Sequence, residues 1–310
     1  MKKLELKRLP PDIYRLILDV GQYADAKGVP AFLVGGMVRD LILGRKSRDV
    51  DIVVEGDGIL FAHGLAAKWR TQSRQPVKLL AHRKFGTAVL ERADGLKLDI
   101  VTARRETYAR PGSLPDVVPG LITDDLFRRD FTVNAVAVAL NHGEFGVVYD
   151  NFDGCTDIKK KLIRVMHYRS FVDDPTRILR AVRYEKRFGF KFEPRTLSVL
   201  KMALEENAFR AITPVRYFGE FRRILQEEDP RPVLRRLSSL EGLRFFVYDQ
   251  KVESKFSSII KSAGKTGGPD HWISLFSALI TSLDMESAED LLVSFNMPRA
   301  DKQKLLKRLS

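Results

Sequence analysis

Apolar positions recur every three to four residues over 10–28, where Ile13, Leu16, Ile17 and Val20 form one stripe behind Leu9 and Pro10-Pro11. Gly28 stops that helix. The pattern then changes. Residues 31–34 are a continuous apolar run and predict a strand, and Gly35-Gly36 turns the backbone. Residues 37–43 fit one or two helical turns, stopped by Gly44. Residues 49–54 predict a second strand, whose alternation puts Asp49 and Asp51 on one face and Val50 and Ile52 on the other. A helix is expected over 59–71, a strand pair at 77–81 and 86–91, and a further strand at 96–102 that carries Asp99. Residues 103–124 hold Pro111, Pro115, Pro119, Gly112 and Gly120, so no regular element is expected there, and a loop of that length is often functional.

Beyond residue 170 the pattern is helical. Pro175 suits a first helical position, with Asp174 as N-cap and Ile178, Leu179, Val182 and Phe188 as the apolar face. Further helices are expected at 194–207, 213–228, 232–240, 271–283, 287–295 and 299–309, with a loop at 260–270. The Gly-Lys-Thr in that loop lacks the rest of a P-loop.

Two carboxylates at i and i+2 on a strand repel when both are ionised. A divalent cation removes the repulsion, and magnesium is held by one or two carboxylates with substrate phosphates and water. A Gly-Gly turn before a helix presents backbone N–H groups to a triphosphate, and Arg39 adds charge-assisted bonds. Asp49, Asp51, Gly35, Gly36 and Arg39 thus describe a nucleoside-triphosphate site for in-line phosphoryl chemistry. Either motif alone is weak. Their combination in a strand-turn-helix-strand context is far more specific.

A second constellation lies at Asp173-Asp174-Pro-Thr-Arg177. Cytosine and adenine each show an exocyclic amine beside a ring acceptor, which a carboxylate beside a guanidinium matches. Uracil and guanine show the opposite pair and would leave both groups mismatched. Arg180 and Arg183 follow on the same helix and are expected at other parts of the ligand.

Composition narrows the class. The 310 residues suffice for two or three domains with real cores. There is no apolar run of about 18 residues, and the start lacks the apolar centre of a signal peptide. One cysteine, Cys155, excludes an internal disulfide and fits a reducing cytoplasm, and five scattered histidines argue against structural zinc. The formal charge of +13 suggests a polyanionic partner. The excess is concentrated over 155–190, with ten Lys or Arg against four Asp or Glu. Lys159, Lys160 and Lys161 read first as a solvated charge run and second as an RNA contact.

Gly35-Gly36-x-Val-Arg39-Asp40 followed by Asp49-Val-Asp51 resembles the head signature of class II tRNA nucleotidyltransferases and bacterial poly(A) polymerases, of the DNA polymerase beta superfamily. Residues 125–135, Asp-Leu-Phe-Arg-Arg-Asp-Phe-Thr-Val-Asn-Ala, match the next family motif and are expected to begin a helix at Arg128 to Asp130. By resemblance Arg129 contacts the nucleotide, and Asp130 and Asn134 hold the sugar and the shape of the site. Residues 149–165 match the link between head and neck. Arg104-Arg105-Glu106-Thr107 resembles the start of the flexible loop that helps the family proceed from C to A addition. Asp173-Asp174-Pro-Thr-Arg177 resembles the protein template that reads the base, with Asp173 where Glu is commoner.

The resemblance implies an α/β nucleotidyltransferase head with a mixed sheet (1–148), an all-α neck (149–230) and a helical body (231–310) with a reduced or absent tail. It implies Mg2+ held by Asp49 and Asp51, Asp99 as candidate third carboxylate, and CTP, ATP and the tRNA 3′ end as partners, away from any membrane. The implied activity is template-independent addition of C and/or A from CTP or ATP to the tRNA 3′ end, as in CCA addition, with release of pyrophosphate. An A-adding enzyme shares every motif, and a poly(A) polymerase shares most of them. An inactive RNA-binding protein would keep the basic neck but need not keep the two aspartates.

Overall fold

The computed structural model describes residues 2–73, 76–240, 271–281 and 283–309. The expected loop at 260–270, with its Gly-Lys-Thr, lies outside them. The chain divides into two compact units: Met1–Ala109 with Pro115–Met166, and Arg110–Leu114 with His167–Ser310.

The first unit is built on a seven-stranded sheet. Its elements run α1 (Pro11–Lys27), β1 (Ala31–Val34), α2 (Gly36–Ile42), β2 (Val50–Val54), α3 (Gly58–Ser73), β3 (Val77–His82), β4 (Thr87–Arg92) and β5 (Lys97–Thr102). There follow β6 (Arg104–Thr107), β7 (Asp116–Pro119), α4 (Ile122–Phe127), β8 (Ala137–Ala139), β9 (Val148–Tyr149) and α5 (Gly154–Lys160). The strand order is β3-β4-β5-β2-β1-β8-β9. The β2–β5 pair is parallel, while β1–β2, β1–β8, β3–β4, β4–β5 and β8–β9 are antiparallel, so the sheet is mixed as expected. All four residues of β1 are buried, as befits a strand covered on both faces. The α1 stripe of Ile13, Leu16, Ile17 and Val20 is buried in full.

Two local expectations are corrected. Residues 103–124 do contain a regular element, because β6 and β7 pair antiparallel from Arg104↔Pro119 to Thr107↔Asp116. Pro111 and Pro115 fall in the connection and Pro119 ends a strand, where the missing N–H costs no interior ladder bond. The strand carrying Asp99 forms as expected and lies between β4 and β2. Arg128 closes α4 instead of opening a helix, and the chain then forms a short 3-10 turn over Thr132–Asn134.

The second unit is helical, again as expected: α6 (Ser170–Asp173), α7 (Thr176–Phe188), α8 (Pro194–Glu205), α9 (Pro214–Leu225), α10 (Arg231–Ser239), α11 (His271–Ile280), α12 (Met285–Ser294) and α13 (Arg299–Leu309). Its core is aromatic. Phe218 stacks on Phe295 at a centroid distance of 4.6 Å and packs against Phe276 at 5.1 Å. Thr213 caps α9 by accepting from the Arg216 amide.

Candidate active site

The register of the central strands assembles a carboxylate cluster in the first unit. Asp51 on β2 lies opposite Val34 of β1 and directly beside Asp99 of the parallel strand β5. Asp49 is exposed immediately before β2, two residues from Asp51 and so on the same face. Ligand oxygens of Asp49, Asp51 and Asp99 all lie within 4.8 Å of one another. Burial pushes the Asp51 carboxyl up to about 7, with the charge of Asp49 adding to it and Arg129 opposing. Burial and Asp49 also push Asp99 up. Three acids held this close are strained as anions. An oxygen-rich, anionic donor set of this kind fits a hard divalent cation.

The turn before α2 clears the ground in front of these acids. Gly35 has φ +70, and a Cβ there would lie 3.0 Å from Arg129 Nη1 and 3.3 Å from Asp51 Oδ2. Only glycine combines that backbone with that proximity.

Arg129 is aimed by its neighbours. Its Nη2 donates to Asp125 Oδ2 at 2.9 Å and its Nη1 to the Asn134 carbonyl at 3.3 Å, while its buried Nε has no partner. Asp125 is fully buried and also takes Arg128 through Oδ1 at 2.6 Å. Burial opposes its ionisation, but the charges and bonds of Arg129 and Arg128 outweigh it and hold the carboxyl below its usual range. Ile122 and Leu126 fix α4 in the core beneath the sheet. Arg128 reaches on to Glu106 of β6, which also accepts from Arg104 Nη2 at 2.8 Å and Tyr108 at 3.1 Å.

Arg39 is placed otherwise than a phosphate ligand on an open surface. It is buried, with Nη1 donating to Asn134 Oδ1 at 2.7 Å and Nε to Asp40 at 2.9 Å. Asn134 Nδ2 in turn donates to Asp130 Oδ1 at 2.8 Å. Gly35, Arg39, Asn134 and Asp130 thus form one bonded frame at the turn that Gly36 continues, and Arg129 joins it through the Asn134 carbonyl.

In the second unit, Asp174 precedes α7 in extended conformation. Its Oδ1 accepts from the Thr176 amide at 3.1 Å, the Thr176 hydroxyl at 2.6 Å and Arg216 Nη2 at 2.9 Å. The expected N-cap is corrected by one position: Pro175 caps α7, and Asp174 before it bonds the first helical amide through its side chain. Arg177 is buried and donates through Nη1 to Ser170 Oγ at 2.7 Å. Arg180 and Arg183 face α9 and pair with Glu220 at 3.5 and 3.9 Å, and Arg183 also bonds Glu227 at 3.1 Å. Asp173 lies 3.4 Å from Arg169.

Sequence reasoning missed Asp125, Glu106, Arg216, Glu220 and Glu227. The i,i+3 and i,i+4 spacing of Asp125 to Arg128 and Arg129 was a usable signal for the first.

A mixed sheet that lines up three carboxylates behind a glycine turn and a guarded arginine defines a nucleotidyltransferase-type head. The Poly A polymerase head domain family matches residues 31–164. An A-adding tRNA nucleotidyltransferase of Geobacter sulfurreducens is 37% identical over 290 residues, 90% of this chain and 32% of that protein. One of Halalkalibacterium halodurans is 36% identical over 278 residues, 88% of this chain and 62% of that protein. The chain thus spans less than two thirds of either relative. A CCA-adding enzyme solved in an apo form superimposes with a TM-score of 0.82 at 35% identity, over 98% of this chain and 74% of that one. The chain belongs to the class II tRNA nucleotidyltransferase family.

Proposed function

We propose that the protein adds nucleotides to the 3′ end of tRNA without a nucleic-acid template, using CTP, ATP or both. The observation that carries this reading is the register-aligned cluster Asp49, Asp51 and Asp99. Asp49 and Asp51 would hold magnesium, with Asp99 beside them; when bound it lowers the pKa of the attacking 3′ hydroxyl and neutralises charge on the phosphates. Arg129 takes up charge developing on the triphosphate, and Asp125 keeps its guanidinium in place. The Arg39–Asn134–Asp130 frame holds the Gly35-Gly36 turn against which the triphosphate lies. Asp174 accepts from the base amine of C or A, and the guanidinium of Arg177 donates to the ring acceptor beside it. Arg180 and Arg183, paired to Glu220 and Glu227, brace the helix that carries Arg177.

Transfer of A alone is the narrower reading, favoured by the A-adding activity of the two relatives named above. No helix among the described residues is long and apolar enough to cross a membrane. A cytoplasmic location follows from the proposed substrate.

The test is incorporation by purified protein with magnesium, on tRNA ending at the discriminator base or at CC, with each labelled nucleotide in turn. CCA addition extends both tRNAs, the first with C before A. A-only transfer extends only the CC-ending tRNA. No incorporation on either tRNA overturns the proposal.

A further inference from the structure

We infer that Arg216 is a specificity-determining positioning residue that holds the base-reading carboxylate of Asp174 and the segment Arg110–Leu114 as one assembly. The inference rests on the base-reading role proposed for Asp174.

Arg216 lies in the first turn of α9, where the Thr213 cap fixes its backbone. Its guanidinium forks between two acceptors. Nη2 donates to Asp174 Oδ1 at 2.9 Å, and Nη1 donates to the carbonyl of Gly112. The Gly112 amide donates to the Asp173 carbonyl at 3.1 Å, so the segment is fastened at both its N–H and its C=O. Gly112 has φ +67, and a Cβ there would lie 2.2 Å from the Ala211 carbonyl oxygen. No other residue fits that seat. The segment comes from the connection between β6 and β7, yet its contacts make it part of the second unit.

The consequence for Asp174 is orientational. Three donors converge on Oδ1: the Thr176 amide, the Thr176 hydroxyl and Arg216. They saturate that oxygen and fix the plane of the carboxylate, which leaves Oδ2 for the amine of a base. Thr176 brings two of these donors from the start of α7. Arg216 brings the third from α9 through Nη2, with its other prong held by the Gly112 carbonyl, so the fork ties the carboxylate to a second element. Removing it leaves the carboxylate present but misaimed, and a recognition contact depends on alignment.

The prediction is a selectivity defect that stability does not explain. Arg216→Ala should lower the ratio of kcat/KM for the cognate nucleotide (ATP or CTP) to that for UTP about tenfold, mainly through a higher KM for the cognate. Arg216→Lys keeps the charge but reaches one acceptor at a time, so it should restore less than half of the loss on a logarithmic scale. Gly112→Ala expels the segment while leaving the Arg216–Asp174 bond, and should reduce selectivity about threefold. The double variant Asp174→Ala/Arg216→Ala should be no less selective than Asp174→Ala alone, because Arg216 acts through Asp174. Thermal melts with bound nucleotide absent identify any variant that is simply unfolded, in which case Arg216→Lys and Gly112→Ala carry the test.

The outcomes separate. If Asp174→Ala leaves the selectivity ratio at the wild-type value, the base-reading proposal fails. If Asp174→Ala changes the ratio and neither Arg216→Ala nor Arg216→Lys does, base reading stands and the role of Arg216 is overturned. If Arg216→Ala changes it and Gly112→Ala does not, the coupling to the segment is overturned.

Discussion

The two units treat their charges in opposite ways. In the first, Asp49, Asp51 and Asp99 are pressed together with Arg129 as the neighbouring cation, and the carboxyl of Asp51 is displaced to about 7. In the second, Arg180, Arg183 and Arg223 surround Glu220, and Glu227 takes Arg183 and Arg187. The first cluster stays anionic, because Arg129 beside Asp51 and Lys97 beside Asp99 only partly offset three acids. The second brings four arginines to two glutamates, and each glutamate is held by at least two of them. Charge density therefore does not mark function here. The difference lies in how the charges are arranged: like charges are pressed together in the first cluster, and opposite charges alternate in the second. This is why Arg180 and Arg183 read better as braces for α7, and Asp51 as a group waiting for a ligand.

The largest effect should follow from removing the crowded acids. Asp49→Ala or Asp51→Ala is expected to lower kcat for nucleotide addition by about 10³-fold or more, while tRNA affinity stays within a few fold, because RNA binding rests on basic side chains. Turnover near wild type in either variant would remove the first cluster from the chemistry and leave the comparison without its functional half.

Next comes the arginine–glutamate network. Glu220→Ala leaves Arg183 buried with Glu227 as its remaining acidic partner and should cost on the order of 3 kcal/mol of stability, read from urea unfolding. A neutral result would mean that the arginines of α7 do not depend on α9.

Asp51→Asn tests the same contrast with the opposite sign. Burial, Asp49 and Asp99 raise the folded-state pKa of Asp51 to about 7, from an ordinary value of 3.8. A raised pKa means that the folded state holds the proton more tightly than the unfolded one. The associated stability is complete below pH 4 and is lost as pH rises through about 7. Metal-free wild type should accordingly lose stability between pH 4 and 7 where Asp51→Asn does not. Above pH 7 the variant should melt higher, by on the order of 2 kcal/mol. Added magnesium should stabilise wild type more at pH 8 than at pH 6, and the variant little at either. A variant less stable than wild type at pH 8 without metal would show that the cluster is not strained.

These contrasts also explain what was legible in the sequence. Asp49, Asp51 and the Gly-Gly turn are close in the chain, so period and spacing were enough to group them. Asp99 was recognisable as a candidate, but its position beside Asp51 depends on the parallel β2–β5 register, which no local pattern encodes. The β6–β7 ribbon escaped because Arg-Arg-Glu-Thr offers no apolar alternation, and its prolines fall where a ribbon tolerates them. The network of Arg180 and Arg183 with Glu220 and Glu227 crosses between two helices about 40 residues apart, beyond any i,i+4 rule. Arg177 shows a further limit. Its identity suggested a pure recognition group, yet it is buried against Ser170, so Arg177→Ala would remove support as well as a donor.

The smallest expected effect concerns charge that is neither strained nor networked. Lys159, Lys160 and Lys161 end α5 with all three side chains exposed. Side chains this open to solvent carry little desolvation penalty and contribute to RNA binding only where they meet a phosphate. Each phosphate neutralised adds about 0.7–0.9 to the slope of log affinity against log salt. If the three lysines form a solvated face, Lys→Gln at all three positions leaves the slope, and with it the tRNA affinity across the salt range, close to wild type. A slope smaller by about 2 would place the end of α5 on the RNA. It would also add a third kind of charge to the comparison, compensated by neither the fold nor a metal, but by the substrate.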